Sequence, residues 1–247
     1  MTKLHEKYRK YADKNRLYSG RGYAVLDHRC QQIFRHVDGL QGKTLLEVGG
    51  GEGLFTLWAL ANGAARVIIL EPEASGSRSG VAKRLERHRL ALRIPEDRLR
   101  LYRVPLQDFE GEEKSFDLVF SYSSINHLDE FACTSLTSSY GARKRYLSVF
   151  RKVNELLRDG GHFIISDSGR LNFWNFFRLK SPFAPTIEWC KHQEPFIWKS
   201  LLYTAGFEFG GLEWLRFYLL RRLGAIGVNS VVARATTSQF ILTMRKS

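Results

Sequence analysis

Cysteines, long apolar runs and acidic residues are scarce in this 247-residue sequence. The three cysteines are too widely spaced for a zinc motif or a disulfide framework, which favours a reducing compartment. No run of about 18 apolar residues occurs, so the sequence predicts no transmembrane helix. The N-terminal residues also lack the apolar core of a secretory signal. These shortages predict a cytoplasmic protein, and no cluster of metal ligands stands out.

Basic residues outnumber acidic residues, with 38 Lys and Arg against 25 Asp and Glu, for a formal net charge of +13. Nine of the cations and only three acids lie between Arg78 and Arg103. Such an excess can attract nucleic acid, an anionic membrane surface or an acidic substrate, although a solvated basic face is the default interpretation. No RNA-binding signature accompanies the charge. Nucleic acid is therefore an open but not favoured partner.

Strand-like and helix-like patterns alternate from Lys43 onward. Apolar strands are predicted at residues 45–48, 66–70, 99–104, 116–121 and 162–166, followed by two final strands at 212–219 and 239–244. Helical patterns lie between them, including a basic helix at 81–92, a long one from Tyr146 to Leu157 and a short one at 199–204. The alternation predicts βαβ units and a parallel sheet covered on both faces. The pattern leaves residues 221–237 unassigned.

Two further segments belong to the one predicted domain, residues 1–247: one precedes the alternating region and the other interrupts it. Residues 1–40 are rich in tyrosine and cations and carry a helical pattern that glycines interrupt near residue 20, which predicts an N-terminal helical lid. Residues 169–198 are aromatic and broken by prolines, which predicts a cap insert. Any single aromatic in that insert is more often a core residue than a ligand contact.

The sequence EVGGGEG at residues 47–53 follows the first strand and precedes a helix. Glycines allow a tight turn and a close approach to a ligand, and the helix N-terminus favours anionic groups. A dinucleotide fingerprint would need glycine where Leu54 stands, and no Gly-Lys-Ser/Thr of a P-loop follows. Glu71 ends the second strand beside this turn, where its carboxylate could accept hydrogen bonds from two ribose hydroxyls. The pattern predicts a cofactor site.

Five stretches in this order resemble the class I S-adenosylmethionine-dependent methyltransferases, and the resemblance extends from about Lys43 to the C-terminus. They are LLEVGGGEG (45–53), VIILEPE (67–73), FDLVFSYSSINHL (116–128), VNELLRDGGHFIISDS (153–168) and EPFIWKSLLYTAGFE (194–208). The resemblance implies a Rossmann-like three-layer α/β/α sandwich. Its sheet would be mostly parallel and seven-stranded, with one antiparallel strand. It also implies an enzyme whose cofactor is S-adenosyl-L-methionine.

The resemblance assigns the glycine turn and Glu71 to the cofactor. Gly49, Gly50 and Gly51 would pass under the methionine and ribose parts. Glu47 would orient the turn or reach the amino group through water. Glu71 would hold the ribose hydroxyls.

Three further segments complete the implied cofactor site. Pro72 would lie beside the adenine. Leu106, Gln107 and Asp108 would meet the adenine edge, although Pro105 stands where the family commonly has Asp. Ser121 and Tyr122 would line the methionine end.

Methyl transfer requires alignment of the acceptor and, for a hydroxyl acceptor, a base. His127 follows the fourth strand near the expected methyl position and is the candidate base. Histidines of this kind serve a structural role equally often, by packing or by binding a backbone carbonyl. His192, in the cap segment, is a weaker candidate and is expected at the surface.

The favoured hypothesis is O-methylation of a small molecule that is aromatic, lipid-like or sugar-linked. Arg178, Lys180 and Lys191 could bind an acidic group on it. An RNA methyltransferase is the first alternative, motivated by charge. DNA base methylation is disfavoured because SYSS follows the fourth strand instead of an Asn/Asp-Pro-Pro-aromatic turn. A non-catalytic methyltransferase-like binding protein is the second alternative.

Overall fold

The protein is described by a computed structural model that covers residues 2–18, 20–72, 80–182, 184–215 and 230–247. The predicted strand beyond residue 215, most of the unassigned stretch 221–237 and Arg78 lie outside these ranges.

A seven-stranded sheet is the centre of the fold. Its strands are β1 (Thr44–Val48), β2 (Arg66–Leu70), β3 (Leu99–Tyr102), β4 (Phe116–Tyr122), β5 (Leu157–Ser168), β6 (Phe207–Trp214) and β7 (Gln239–Lys246). They are ordered β3-β2-β1-β4-β5-β7-β6. Strands β1 to β5 pair in parallel, and β7 runs antiparallel to both β5 and β6. The prediction of a mostly parallel sheet with one antiparallel strand is confirmed.

Helices cover both faces of the sheet. They are α1 (Lys3–Asn15), α2 (Tyr23–Ile33), α3 (Leu54–Ala61), α4 (Val81–Leu92), α5 (Glu130–Thr134), α6 (Tyr140–Leu156), α7 (Phe173–Phe176), α8 (Pro195–Thr204) and α9 (Ser230–Thr236). Short 3-10 turns lie at Leu106–Asp108, Ile125–His127 and Trp189–Lys191. The layers therefore form an α/β/α sandwich, as predicted.

The two faces of the sheet carry separate cores because successive side chains on a strand point to opposite faces. Leu45 on β1 belongs to a core with residues of α1 to α4, such as Tyr8. Leu46, the next residue, belongs to a core with residues of α5, α6 and α8, such as Trp198. The N-terminal helices therefore pack as part of one hydrophobic core, with Tyr8 fully buried.

The boundaries of several elements differ from the sequence prediction. Strand β5 begins at Leu157 and β6 at Phe207, five residues earlier than predicted in each case. Helix α8 begins at Pro195 because proline is suited to the first helical turn, where its missing N–H is not needed. Helix α9 accounts for part of the stretch that the pattern left unassigned. Within the described ranges, no helix has the length and apolar character to cross a membrane.

Candidate active site

The glycine turn lies between β1 and α3. Gly49, Gly51 and Gly53 have φ values of 70°, 51° and 70°, a conformation that side chains disfavour. A Cβ at Gly49 would lie 2.4 Å from the Cβ of Ser124, so this position also lacks space for a side chain. The Gly49 amide donates to the carbonyl of Leu70 at 2.8 Å, which ties the turn to β2. Local geometry therefore requires the glycines that the sequence supplies.

Glu47 lies beneath the turn and is almost fully buried. The Thr56 hydroxyl, in the first turn of α3, donates to the Oε2 atom of Glu47. Burial raises the pKa of the Glu47 carboxyl to about 8, against the lowering effect of the Thr56 hydrogen bonds. Glu47 links β1 to α3 and lies behind the ligand surface.

Glu71 lies above the turn, at the end of β2. Because β1 and β2 are parallel neighbours, their carboxyl ends meet at one edge of the sheet. The Glu71 Oε2 atom accepts a hydrogen bond from the Gly51 amide at 2.9 Å. The carboxylate is therefore fixed at the mouth of the turn.

A cavity of about 290 Å³ opens at this edge. It is lined by Val48, Gly49, Gly51, Glu52, Leu70, Glu71, Pro72, Val81, Arg84, Val104, Pro105, Leu106, Gln107, Ser123, Ser124, His127 and Leu128. The predicted cofactor residues Gly49, Gly51, Glu71, Pro72, Leu106 and Gln107 are all on its wall. The set that sequence reasoning missed includes Arg84, Ser123 and Ser124.

Four predicted cofactor residues are not on this wall. A Cβ at Gly50 would point toward Ile69 and Glu47, so this residue faces the interior with Glu47. Asp108 is exposed to solvent, because the 3-10 turn directs Leu106 inward. Ser121 lies behind Ser124, and their hydroxyls are 2.7 Å apart. Of the three residues predicted to meet the adenine edge, the loop presents Leu106 and Gln107 to the cavity but not Asp108.

The residues present fit S-adenosylmethionine. The open space in front of Gly51, where a Cβ would meet no atom within 4 Å, leaves the backbone accessible to a ligand. Glu71 lies on the cavity wall, where its carboxylate could accept hydrogen bonds from vicinal hydroxyls, and Pro72, Val81 and Leu106 would offer apolar surface to a flat base. The chain would hold the cofactor with these residues, and the space that they line is called the cofactor cavity.

A second cavity, of about 590 Å³, adjoins the first. Its wall contains Tyr18, Arg21, Val25, His28, Arg29, Tyr122, Ser123, His127, Asp167, Ser168, Pro182, Ala184, Thr186, Ile187, His192, Thr237 and Gln239. Ser123 and His127 line both cavities. Ser123 has a φ of 51°, and strained residues of this kind persist where the surrounding structure holds them. Tyr122 faces this second cavity, away from the predicted cofactor wall.

His127 is paired with a carboxylate three residues further along the chain. Its Nδ1 atom is 2.6 Å from Oε1 of Glu130, and 47% of its side chain is exposed. Glu130 also pairs with Lys191 at 3.1 Å, and hydrogen bonds from both partners lower the pKa of its carboxyl. A charged Glu130 holds the proton of His127 on Nδ1, which leaves Nε2 as an acceptor.

His192 is largely buried, so the prediction that it lies at the surface is wrong. Only 12% of its side chain is exposed, and its Nδ1 atom is 3.1 Å from Oδ1 of Asp167. Asp167, the penultimate residue of β5, is 1% exposed, and its Oδ2 atom has no hydrogen-bond partner among the described residues. Sequence reasoning missed Asp167 because nothing near it in the chain marks it as a partner of His192.

The cations on the wall of the second cavity come from the N-terminal segment. Arg21 and Arg29 line it, whereas the predicted Arg178 and Lys180 do not and Lys191 is engaged by Glu130 and Glu188. Arg29 donates to Gln239 at 2.9 Å, and Gln239 donates to the Tyr122 hydroxyl at 3.1 Å. These contacts join the N-terminal segment to the sheet at the cavity.

This architecture is that of the class I methyltransferases: it has their strand order, a glycine turn with a paired acid, and two adjoining cavities. A family model described as a methyltransferase domain matches residues 21–209. The chain belongs to this family of methyltransferases. It is an enzyme, S-adenosylmethionine is its cofactor, and the non-catalytic alternative is wrong.

Solved structures with the same fold include three methyltransferases. One, from Mesorhizobium loti, shares 16% identity and a TM-score of 0.61, over 90% of this chain and 100% of that one. One from Aquifex aeolicus shares 12% identity and a TM-score of 0.59, over 100% of both chains. The third is the geranyl diphosphate C-methyltransferase of Streptomyces coelicolor A3(2), solved with Mg²⁺, geranyl diphosphate and S-adenosyl-L-homocysteine. It is 13% identical to this chain and superposes with a TM-score of 0.63, and the match covers 100% of this chain and 99% of that one.

None of the curated protein sequences compared with this chain matches it.

Proposed function

We propose that this methyltransferase O-methylates a small molecule that binds in the second cavity. The observation that carries the proposal is that Ser123 and His127 line both the cofactor cavity and the second cavity. Methyl transfer requires the donor and the acceptor to be held in line at a shared boundary from which water is excluded. This boundary is where the two ligands would meet.

His127 is the proposed base. S-adenosylmethionine, when bound, supplies a methyl group already activated by its sulfonium sulfur. A hydroxyl oxygen is a poor nucleophile until a base takes its proton. The Nε2 atom of His127 would accept that proton while Glu130 stabilises the imidazolium that results.

His192 and Asp167 are proposed to bind the acceptor. His192 lines the second cavity but, unlike His127, does not line the cofactor cavity. With Nδ1 facing Asp167, its Nε2 atom can accept a hydrogen bond from a polar group. Arg21 and Arg29 favour an acceptor that carries negative charge or several polar groups.

The RNA methyltransferase alternative is less favoured. It depends on the positive charge, and several cations of the basic stretch already have partners. Arg84 pairs with Glu52 at 2.6 Å, and Arg98 donates to the carbonyls of Ala64 and Ala65. These contacts support a structural role for part of the charge.

The test begins with identification of the acceptor, by incubating the enzyme with labelled S-adenosylmethionine and cell extract. With that acceptor, His127→Ala is expected to lower kcat by about 10²- to 10⁴-fold, far more than it weakens cofactor binding. His192→Ala is the matched variant, since it removes a histidine from the second cavity alone. It is expected to raise KM more than it lowers kcat.

Near-wild-type turnover by His127→Ala would show that this histidine is not the base. A product methylated on carbon or nitrogen would refute O-methylation while leaving the cofactor site intact.

A further inference from the structure

Helix α7 and its flanks expose an unusual amount of apolar surface. Phe176 and Phe177 are 80% and 55% exposed, and Leu171, Phe173 and Leu179 are each about half exposed. These five residues are called the aromatic ridge. Folded proteins seldom leave so many neighbouring large apolar side chains in water, and such patches mark interaction sites.

The aromatic ridge is held in a defined shape by buried polar contacts. Asn172, which is buried, caps α7 by accepting from the Asn175 amide at 3.0 Å. Its amide nitrogen donates to the carbonyl of Gly169 at 3.1 Å and to the Ser238 hydroxyl at 3.2 Å. These bonds anchor the base of the ridge to the chain that precedes β7. The exposure of the rings is therefore a property of the fold.

The phenylalanine rings also support one another at the surface. The ring centroids of Phe173 and Phe177 are 4.8 Å apart, and those of Phe176 and Phe177 are 5.0 Å apart. An apolar groove of about 650 Å³ lies between this cluster and α9, with Arg170 and Arg234 on its wall. The surface is thus a preformed apolar cluster with cations at its margin.

The charged side chains of the ridge segment, residues 169–182, are all basic. Residues 169–182 contain Arg170, Arg178 and Lys180 and no acidic residue. Arg178 and Lys180 are exposed and alternate with the apolar residues Phe177 and Leu179. Glu194, whose carboxylate accepts a hydrogen bond from the Leu171 amide at 2.8 Å, is buried.

We propose that the aromatic ridge, with Arg178 and Lys180, binds the surface of a membrane that contains anionic phospholipid. Aromatic side chains are stable at the level of the lipid headgroups, where their rings leave water without entering the acyl core. Cations beside them are attracted to lipid phosphate, and long basic side chains can reach it while their stems stay in apolar surroundings. Aromatic and cationic residues together, with no acid, match this partner.

The chain continues from the ridge directly into the wall of the second cavity at Pro182 and Ala184. Docking of the ridge would therefore bring that cavity close to the lipid. An acceptor taken from the membrane would be an amphiphile. This last statement rests on the proposed function, whereas lipid binding does not.

The test is co-sedimentation of the full chain with vesicles of phosphatidylcholine alone and with vesicles that also contain phosphatidylglycerol. Binding is expected only to the anionic vesicles. The double variant F176S/F177S is expected to weaken it by about tenfold or more, since two exposed rings lose their apolar contact. R178Q/K180Q is expected to weaken it and to reduce its dependence on salt.

The matched control is F131S/Y140S, because Phe131 and Tyr140 are 78% and 83% exposed but lie on α5 and at the start of α6. It should bind vesicles like the wild type. All variants change exposed residues and should keep the thermal midpoint and cofactor affinity. The proposal is overturned if the wild type does not bind anionic vesicles, or if the control weakens binding as much as the ridge variant. It is also overturned if the ridge instead mediates a concentration-dependent dimer that F176S/F177S abolishes.

Discussion

At the residue scale, two glutamates flank the glycine turn in contrasting environments. Glu47 is buried beneath the turn against Thr56, and Glu71 lies on the wall of the cofactor cavity. The sequence predicts that both acids lie near the turn, but only the packing of their side chains shows that they differ in role. Each role can be measured separately.

Replacement of Glu71 should weaken binding of the cofactor. Glu71→Gln keeps the shape and an oxygen for the Gly51 amide but removes the charge that strengthens hydrogen bonds from hydroxyls. We expect the affinity for S-adenosylmethionine to fall by about tenfold, measured by calorimetric titration. Glu113→Gln, at an exposed site away from the cavity, is the control and should bind normally. Unchanged affinity in Glu71→Gln would contradict the ribose assignment.

Glu47 should make stability depend on pH. Burial raises the pKa of its carboxyl from 4.5 to about 8, so the folded state holds a proton that the unfolded chain releases. Its contribution is complete below the unfolded pKa and is lost as the pH rises toward the folded pKa. Between these values the free energy of unfolding should fall with a slope of up to about 1.4 kcal/mol per pH unit.

Glu47→Gln removes the titrating carboxyl, so the variant should not show this loss of stability as the pH rises. Urea denaturation of both proteins across this range measures it: the wild type should lose stability relative to the variant as the pH rises. Parallel pH profiles would mean that Glu47 is ionised in the folded protein.

At the scale of elements, the turn between β1 and α3 positions the cofactor cavity. The sequence predicted this turn because glycine spacing is local and its conformation is set by adjacent residues. The loop after β3 was harder to predict from the sequence. The 3-10 turn at Leu106–Asp108 decides which of its residues faces the cavity. The same limit applies to α7, whose exposure cannot be read from its aromatic composition.

Gly49→Ala should disrupt the turn. A Cβ there would meet Ser124, and the φ of 70° disfavours any side chain. Gly39→Ala is the matched control, because its φ is 65° but a Cβ would meet no atom within 4 Å. The control should lose about 1–2 kcal/mol from backbone strain alone. Gly49→Ala should lose about 1–3 kcal/mol more and bind cofactor poorly, as urea denaturation and calorimetry would measure.

Equal losses of stability in the two alanine variants would mean that Ser124 moves aside at no cost. In that case the turn is constrained by backbone conformation alone.

At the scale of the whole molecule, the net charge of +13 bears on the choice between substrates. Charge alone gives non-specific affinity for nucleic acid, with steep dependence on salt. Some cations of the basic stretch are held by carboxylates and backbone carbonyls, as Arg84 and Arg98 are. Part of the positive charge therefore serves structural contacts within the protein and is not free to bind a partner.

Binding of tRNA should accordingly be weak and non-specific. Fluorescence anisotropy is expected to record affinity that falls steeply between about 50 and 200 mM salt. Tightly bound tRNA at the higher salt, together with transfer of labelled methyl to it, would favour the RNA alternative over a small-molecule acceptor.

The sequence by itself determined the cofactor side of this protein. The strand, the glycine turn, the following helix and Glu71 come from short segments, and alternation of strands with helices predicts a parallel sheet in which those segments meet. The physical reason is that backbone conformation and burial periodicity depend on neighbouring residues. The order of the strands was not predicted from the sequence and is seen only in the structure.

Only the tertiary structure revealed the second cavity, where the acceptor is proposed to bind. His192 is paired with Asp167 across 25 residues, and Arg29 with Gln239 across 210. Local patterns carry no information about such pairs, because they form only after β4, β5 and the N-terminal helices pack. The second cavity is assembled from segments distant in the chain, so its lining became visible only in the folded protein.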